Sequence, residues 1–218
     1  MKKILFASLA LLLLCVLTGW NLLGKNGKPA NANTFKPAKL TANEEAILHA
    51  STDHSFLYQY RVDPHKYKSV RIWLEEYNYG KLVNGHLFEL EEEAGKKGTI
   101  MFTASPVSEN SNRYKIIEGI YTGKGNTTFN TFKTFPAAGD KDINAFSLSG
   151  VDSAESASGK KILGAIGFTK DKSAPAPPLH DFEDLKKHKK EIQSYATLLV
   201  VRCEFKNNKR SALTDGGS

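Results

Sequence analysis

From Phe56 onward, apolar side chains recur at every second position. In Phe56-Leu57-Tyr58-Gln59-Tyr60-Arg61-Val62, the residues Phe56, Tyr58, Tyr60 and Val62 fall on one face, and Gln59 and Arg61 on the other. An extended chain sends successive side chains to opposite faces, so this pattern requires a half-buried strand. Asp63-Pro64 ends it. Ser69 to Tyr77 repeats the pattern, with Val70, Ile72 and Leu74 on one face and Arg71, Trp73, Glu75 and Tyr77 on the other. Asn78-Tyr79-Gly80 is a hairpin turn signal, and the chain returns through Lys81-Leu82-Val83 and, after Asn84-Gly85, through Leu87 to Leu90.

Thr99 to Ala104, Tyr114 to Tyr121, Thr127 to Phe135, Ile143 to Leu148, Lys161 to Thr169 and Thr197 to Phe205 are strand-like too, separated by Gly, Asn, Ser and Asp clusters. Spacing this short leaves no room for strand-helix-strand units and implies antiparallel pairing. The expected fold is mainly β: an antiparallel two-sheet β-sandwich with a short N-terminal helix and one amphipathic helix before the last strand.

The first helix is expected from Thr41-Ala42-Asn43-Glu44, whose hydroxyl and carboxylate are spaced to cap each other's backbone N–H groups, and runs to about Ala50. The second spans Asp181 to Tyr195, with the narrow stripe Phe182, Leu185, Ile192 and Tyr195 laid across one edge of the sandwich. Leu198 to Val201 is apolar on both faces and belongs in the middle of a sheet. Cys203 shares a face with Leu199, Val201 and Phe205 and is a core thiol.

The N-terminus has a different character. Lys2 and Lys3 precede the apolar run 4–23, which favours export of everything downstream. The run lies between the length of a signal peptide and that of a spanning helix, and Ala30-Asn31-Ala32 offers a cleavage site, so secretion and anchoring both remain open. Cys15 follows Leu14 rather than a small residue and is one more apolar side chain, not a lipid attachment site. Residues 24–40 are a polar linker, 41–206 the expected extracytoplasmic domain and 207–218 a disordered tail. Of the 30 basic residues four precede Asn33, whereas none of the 23 acidic ones does, which leaves only +3 on the remainder. That is too little for nucleic-acid binding by bulk charge. One cysteine outside the leader excludes an intrachain disulfide, which for an exported body points to a bacterial host.

No set of residues converges on a reaction. His180, Asp184 and His188 recur at helical spacing and make a weak metal candidate, opposed by Lys186, Lys187, Lys189 and Lys190. Asp140, Asp142 and Asn144 start like a calcium loop, but Ala145 and Val151 stand where such a loop needs glycine and glutamate. Glu75 and Glu76 point to opposite faces, so an acid pair needs Glu89 or Glu91 from the hairpin's return strand. Ser158 to Lys161 and Gly119 to Gly125 only graze nucleophile and phosphate-loop patterns, and no cofactor is expected. What remains is the face carrying Arg71, Trp73 and Tyr77, which Tyr79 extends into the turn. As the outer surface of a sheet, with aromatics beside charged neighbours, it is a candidate ligand-binding site; the competing and preferred reading makes it the core and packs Val70, Ile72 and Leu74 beneath the helix.

The Lys-Lys-apolar leader, the polar linker and the run Val70 to Tyr77 followed by Gly80-Lys81-Leu82 resemble exported or membrane-anchored proteins of Gram-positive bacteria whose roles are uncharacterised. The resemblance implies no activity and no functional residues. The expected function is that of a non-enzymatic envelope protein binding a protein, peptide or cell-wall ligand. A wall-polymer hydrolase using scattered carboxylates and a structural accessory are the alternatives.

Overall fold

The computed structural model describes residues 33–108, 111–135, 144–150, 155–171 and 192–207. Among the described residues eleven strands and one helix follow in order: β1 (Thr34–Pro37), α1 (Ala42–Ser51), β2 (His54–Arg61), β3 (Tyr67–Asn78), β4 (Lys81–Glu93), β5 (Lys97–Pro106), β6 (Arg113–Thr122), β7 (Asn126–Thr134), β8 (Asn144–Ser149), β9 (Glu155–Ser156), β10 (Lys160–Thr169) and β11 (Thr197–Asn207). They form two antiparallel sheets, β7-β6-β5-β2-β1-β9 and β4-β3-β11-β10-β8, which is the expected β-sandwich. β11 is flanked by β3 and β10, and its first five residues are all buried, as its two apolar faces require.

Period-two alternation builds the space between the sheets. Phe56, Tyr58 and Tyr60 of β2 and Ile100, Phe102 and Ala104 of β5 meet Val70, Ile72 and Leu74 of β3 and Leu199, Val201 and Cys203 of β11. The Tyr58 hydroxyl donates to Leu163 O at 2.5 Å and accepts from Gly150 N at 3.2 Å, so the buried phenol meets no polar vacancy. At Gly164 a Cβ would come within 2.4 Å of the Phe56 ring, so only glycine lets β10 approach β2 this closely.

The capping box at Thr41 is present. Thr41 N donates to Glu44 Oε2 at 2.7 Å, and Glu44 N donates to Thr41 Oγ1 at 3.3 Å. The β3–β4 hairpin has a two-residue loop closed by the pair Asn78 and Lys81, with φ of 47° at Tyr79 and 75° at Gly80. Positive φ at both central residues is the turn geometry that matches strand twist.

Four sequence expectations need correction. Part of the expected linker, Thr34–Pro37, is a strand: Phe35 stacks on Tyr58 at a centroid distance of 4.8 Å, and the folded unit begins at Asn33 rather than Thr41. Asn84-Gly85 does not separate two runs of the return strand. It lies inside β4, where three register shifts against β3 absorb extra residues, and the glycine marks bulged rather than interrupted chain. Strand β11 continues through Asn207, the first residue assigned to the tail. Finally, Ile192 and Tyr195 pack on the outer face of the second sheet against Tyr77, Ile162, Ala165, Leu198 and Val200 rather than across an edge. The rest of that expected helix, 181–191, lies outside the described residues, as do the leader and 1–32 as a whole. Among the described residues no helix is long and apolar enough to cross a membrane.

Candidate functional site

Strand β3 divides its side chains as its sequence alternates. Val70, Ile72 and Leu74 enter the core between the sheets, which overturns the reading that put them beneath a helix. Arg71, Trp73, Glu75 and Tyr77 therefore stand on the outer face of the second sheet, beside Arg202 and Glu204 of β11 and Glu89 of β4.

These residues form one closed set of contacts. The Arg71 guanidinium lies 4.8 Å from the Trp73 ring centroid and pairs with Glu89 at 3.1 Å and Glu204 at 2.9 Å. His86 stacks on the same indole with centroids 5.6 Å apart, and its Nδ1 is 2.7 Å from Glu89 Oε2. Trp73 Nε1 donates to Glu75 Oε1 at 3.3 Å, the Tyr77 hydroxyl donates to Glu75 Oε2 at 2.6 Å, and Arg202 Nε lies 2.7 Å from the same oxygen. Burial works against the charged form of Glu89, but hydrogen bonds from Arg71 and His86 outweigh it and hold the carboxyl below its ordinary range. Burial, followed by the bond to Glu75, pushes the Tyr77 phenol up.

Trp73, Tyr77 and Arg71 are thus brought together on an outward face, yet no ring lies open. Trp73 is 1% exposed, roofed by Arg71 and His86, and Tyr77 is buried under Ile192 and Tyr195. The face is a covered ionic ladder over an indole. Its carboxylates, the indole N–H and the Tyr77 hydroxyl are engaged with one another, and buried Arg71 Nε alone of the Arg71 nitrogens lacks a hydrogen-bond partner, so the face is a covered surface rather than a vacant platform.

The other candidates are dispersed. Glu76 turns to the opposite face from Glu75, 3.8 Å from Lys133, and Glu91 accepts from Ser69 at 2.5 Å and pairs with Lys206. Cys203 is fully buried, and burial pushes its thiol up. Ser158 lies in the turn before β10, with its Oγ 2.9 Å from the Ser156 hydroxyl. The glycines after β6 shape the turn into β7, where Thr122 N donates to Gly125 O at 2.8 Å. Among the described residues, no group of three or more His, Cys, Asp or Glu is placed to hold a metal. His180, Asp184 and His188 lie outside the described residues, as do Asp140 and Asp142, while Asn144 opens β8.

Apart from Tyr79, two features went unread in the sequence. Tyr79, Leu82 and Val83, at the tip of the β3–β4 hairpin, are 63%, 55% and 56% exposed. The tip lies at the end of the sandwich opposite Asn33: Thr34 pairs with Arg61, Arg61 with Lys97, and the link 94–96 joins that end to Glu93, which pairs with Ser69 at the start of β3. The clue was an apolar pair immediately after a turn, where alternation calls for polar residues. The second feature is Glu118 on β6. It occupies the inward register of Tyr114, Ile116 and Ile120, is fully buried, and neither carboxylate oxygen has a hydrogen-bond partner. Burial pushes its carboxyl up to about 8. An acid in an apolar register was the legible signal. A cleft of about 620 Å³ beside Tyr67, Ser69 and Glu91 to Glu93 occupies the Asn33 end.

Neither the curated proteins nor the solved structures yield a match to this chain. A family model, described as the YgaN domain, matches residues 34–205.

Proposed function

We propose that this chain, which belongs to the YgaN domain family, is a non-enzymatic extracytoplasmic envelope protein of a Gram-positive bacterium that binds a protein, peptide or cell-wall ligand. It is anchored through residues 4–23 or released by cleavage near Ala32. The observation that carries the binding role is the hairpin tip, where three large apolar side chains stand in solvent at the end remote from Asn33. Exposed apolar groups concentrated on a rigid element mark contact surfaces, and aromatic and aliphatic anchors dominate their energetics. Export is supported by the basic start, the apolar run and a folded body that needs no disulfide.

A wall-polymer hydrolase is the competing reading. Against it, Glu75 and Glu89 on the outer face are tied to arginines, and Glu118, the acid whose carboxyl is poised near neutrality, is sealed from substrate. A general acid has to reach the atom it protonates.

A photo-reactive residue in place of Leu82, in intact cells, should give a discrete adduct that Tyr79→Ser abolishes. An impermeant amine reagent should label Lys96 before lysis. Absence of any adduct, release of soluble wall fragments by the purified chain, or labelling only after lysis would each overturn the proposal.

A further inference from the structure

Each sheet ends in two edge strands, whose outward N–H and C=O groups are a template for another strand unless something blocks them. Among the described residues, three of the four edges are short or interrupted. β9 has two residues and β8 six. β4 is long but is broken by three register shifts, carries Phe88 with φ of 54°, and bears Glu89, Glu91, Glu92 and Glu93. β7 is neither short nor interrupted. It pairs with β6 through nine consecutive residues without a shift, contains neither proline nor glycine, and has no buried residue. Its one charged side chain, Lys133, lies 3.8 Å from Glu76 of its own chain. Phe129 and Phe132, on opposite faces of the strand, are 36% and 50% exposed. An edge this long and regular, with two exposed phenylalanines and its single charge held by its own chain, is what natural sheets avoid unless a strand is added there.

We infer that β7 pairs antiparallel with β7 of a second copy of this chain, joining two six-stranded sheets into one. The sequence Asn126-Thr127-Thr128-Phe129-Asn130-Thr131-Phe132-Lys133-Thr134 is complementary to itself about Asn130. A twofold axis at that residue sets Phe129 against Thr131, Phe132 against Thr128, Lys133 against Thr127, and Asn130 against its own copy. Each phenylalanine meets a β-branched partner, and no charge faces a like charge, which is the favourable arrangement for cross-strand neighbours. All nine residues pair, and the interface is isologous, the form most homodimers take. The self-pairing is independent of what the hairpin tip binds.

The test uses the full chain with Cys15→Ser, in detergent and in cells. Residues paired across an antiparallel ladder lie about 4.5–5.5 Å apart at Cα, within disulfide reach. Asn130→Cys should therefore give a disulfide-linked dimer on mild oxidation. Asn126→Cys alone should not, and Asn126→Cys with Thr134→Cys should. Asn130→Lys sets two ammonium groups face to face on a side chain that is exposed in the single copy, so it should weaken dimerisation at least about fivefold in sedimentation while leaving the melting curve unchanged. A chain that sediments as a monomer at every concentration overturns the inference. So does efficient linkage through Asn126→Cys alone, or a photo-reactive residue at Asn130 that captures a different polypeptide and no second copy.

Discussion

Two acidic side chains of this sandwich meet burial in opposite ways. Glu75, on the outer face of the second sheet, is largely covered, yet it receives the Trp73 indole N–H and the Tyr77 hydroxyl and pairs with Arg202. Glu118, on the inward face of the first sheet, is fully buried among aromatic and aliphatic neighbours and has no partner for either oxygen. The first sits inside a lattice of donors. The second is held as an acid by the absence of one, its carboxyl pushed up to about 8. The lesson is that accessibility alone does not say what a buried charge does to a fold; the count of donors around it does.

The largest expected effect comes from breaking the partnered side at its floor. Trp73→Ala removes the indole that Arg71 and His86 cover and that donates to Glu75, and should lower stability by about 3–5 kcal/mol in denaturant unfolding. A loss below about 1 kcal/mol would mean the ladder stands without its ring.

The orphan side is tested by Glu118→Met, which fills a similar volume without a carboxyl. Between the ordinary carboxylate range and about 8, the folded chain holds a proton on Glu118 that the unfolded chain has lost. Stability of the native protein therefore falls as pH rises through that window, and the substitution removes the fall. The variant should match the native protein near pH 4.5 and exceed it by on the order of 2–3 kcal/mol at pH 7. Parallel pH profiles for the two would mean that Glu118 finds a donor.

A smaller effect is expected from Arg71→Met, on the order of 1–2 kcal/mol, because the pairs it breaks are partly open to water. The depressed carboxyl of Glu89 contributes stability above its unfolded value and loses it as pH falls through the folded one. The difference between variant and native should accordingly shrink in acid, and a constant difference down to pH 2 would assign the loss to packing alone. The smallest change belongs to Leu82→Ser with Val83→Thr, within about 0.5 kcal/mol, since both side chains are already solvated. A large loss there would show that the tip is part of the fold rather than a free contact.

How far the sequence carries this comparison depends on the length of each signal. Strands β2 to β7, β10 and β11 were readable because their alternation runs for several residues, and the Thr41 cap because its chemistry is local. β1 and β9 were not. Four and two residues cannot display a period, and both exist through pairing with distant strands. The bulges of β4 read in sequence as a break between two runs, since glycine marks either. Arg71, Trp73 and Tyr77 were correctly placed on one face, but alternation cannot say whether a face is roofed; that depends on His86 and on Ile192 and Tyr195, which arrive from elsewhere in the chain. Glu118 broke an otherwise apolar register in plain view, and its lack of a partner could be seen only in three dimensions.

The position of Cys203 has a practical consequence. Its sulfur sits at the centre of the middle strand of the second sheet with no accessible surface, so a thiol reagent reaches it only when the sandwich opens. In chains that have lost Cys15, or carry Cys15→Ser, it is the sole thiol, and its modification rate reads the opening free energy directly in living cells. The molecule carries its own gauge of folding, requiring neither purification nor an added label.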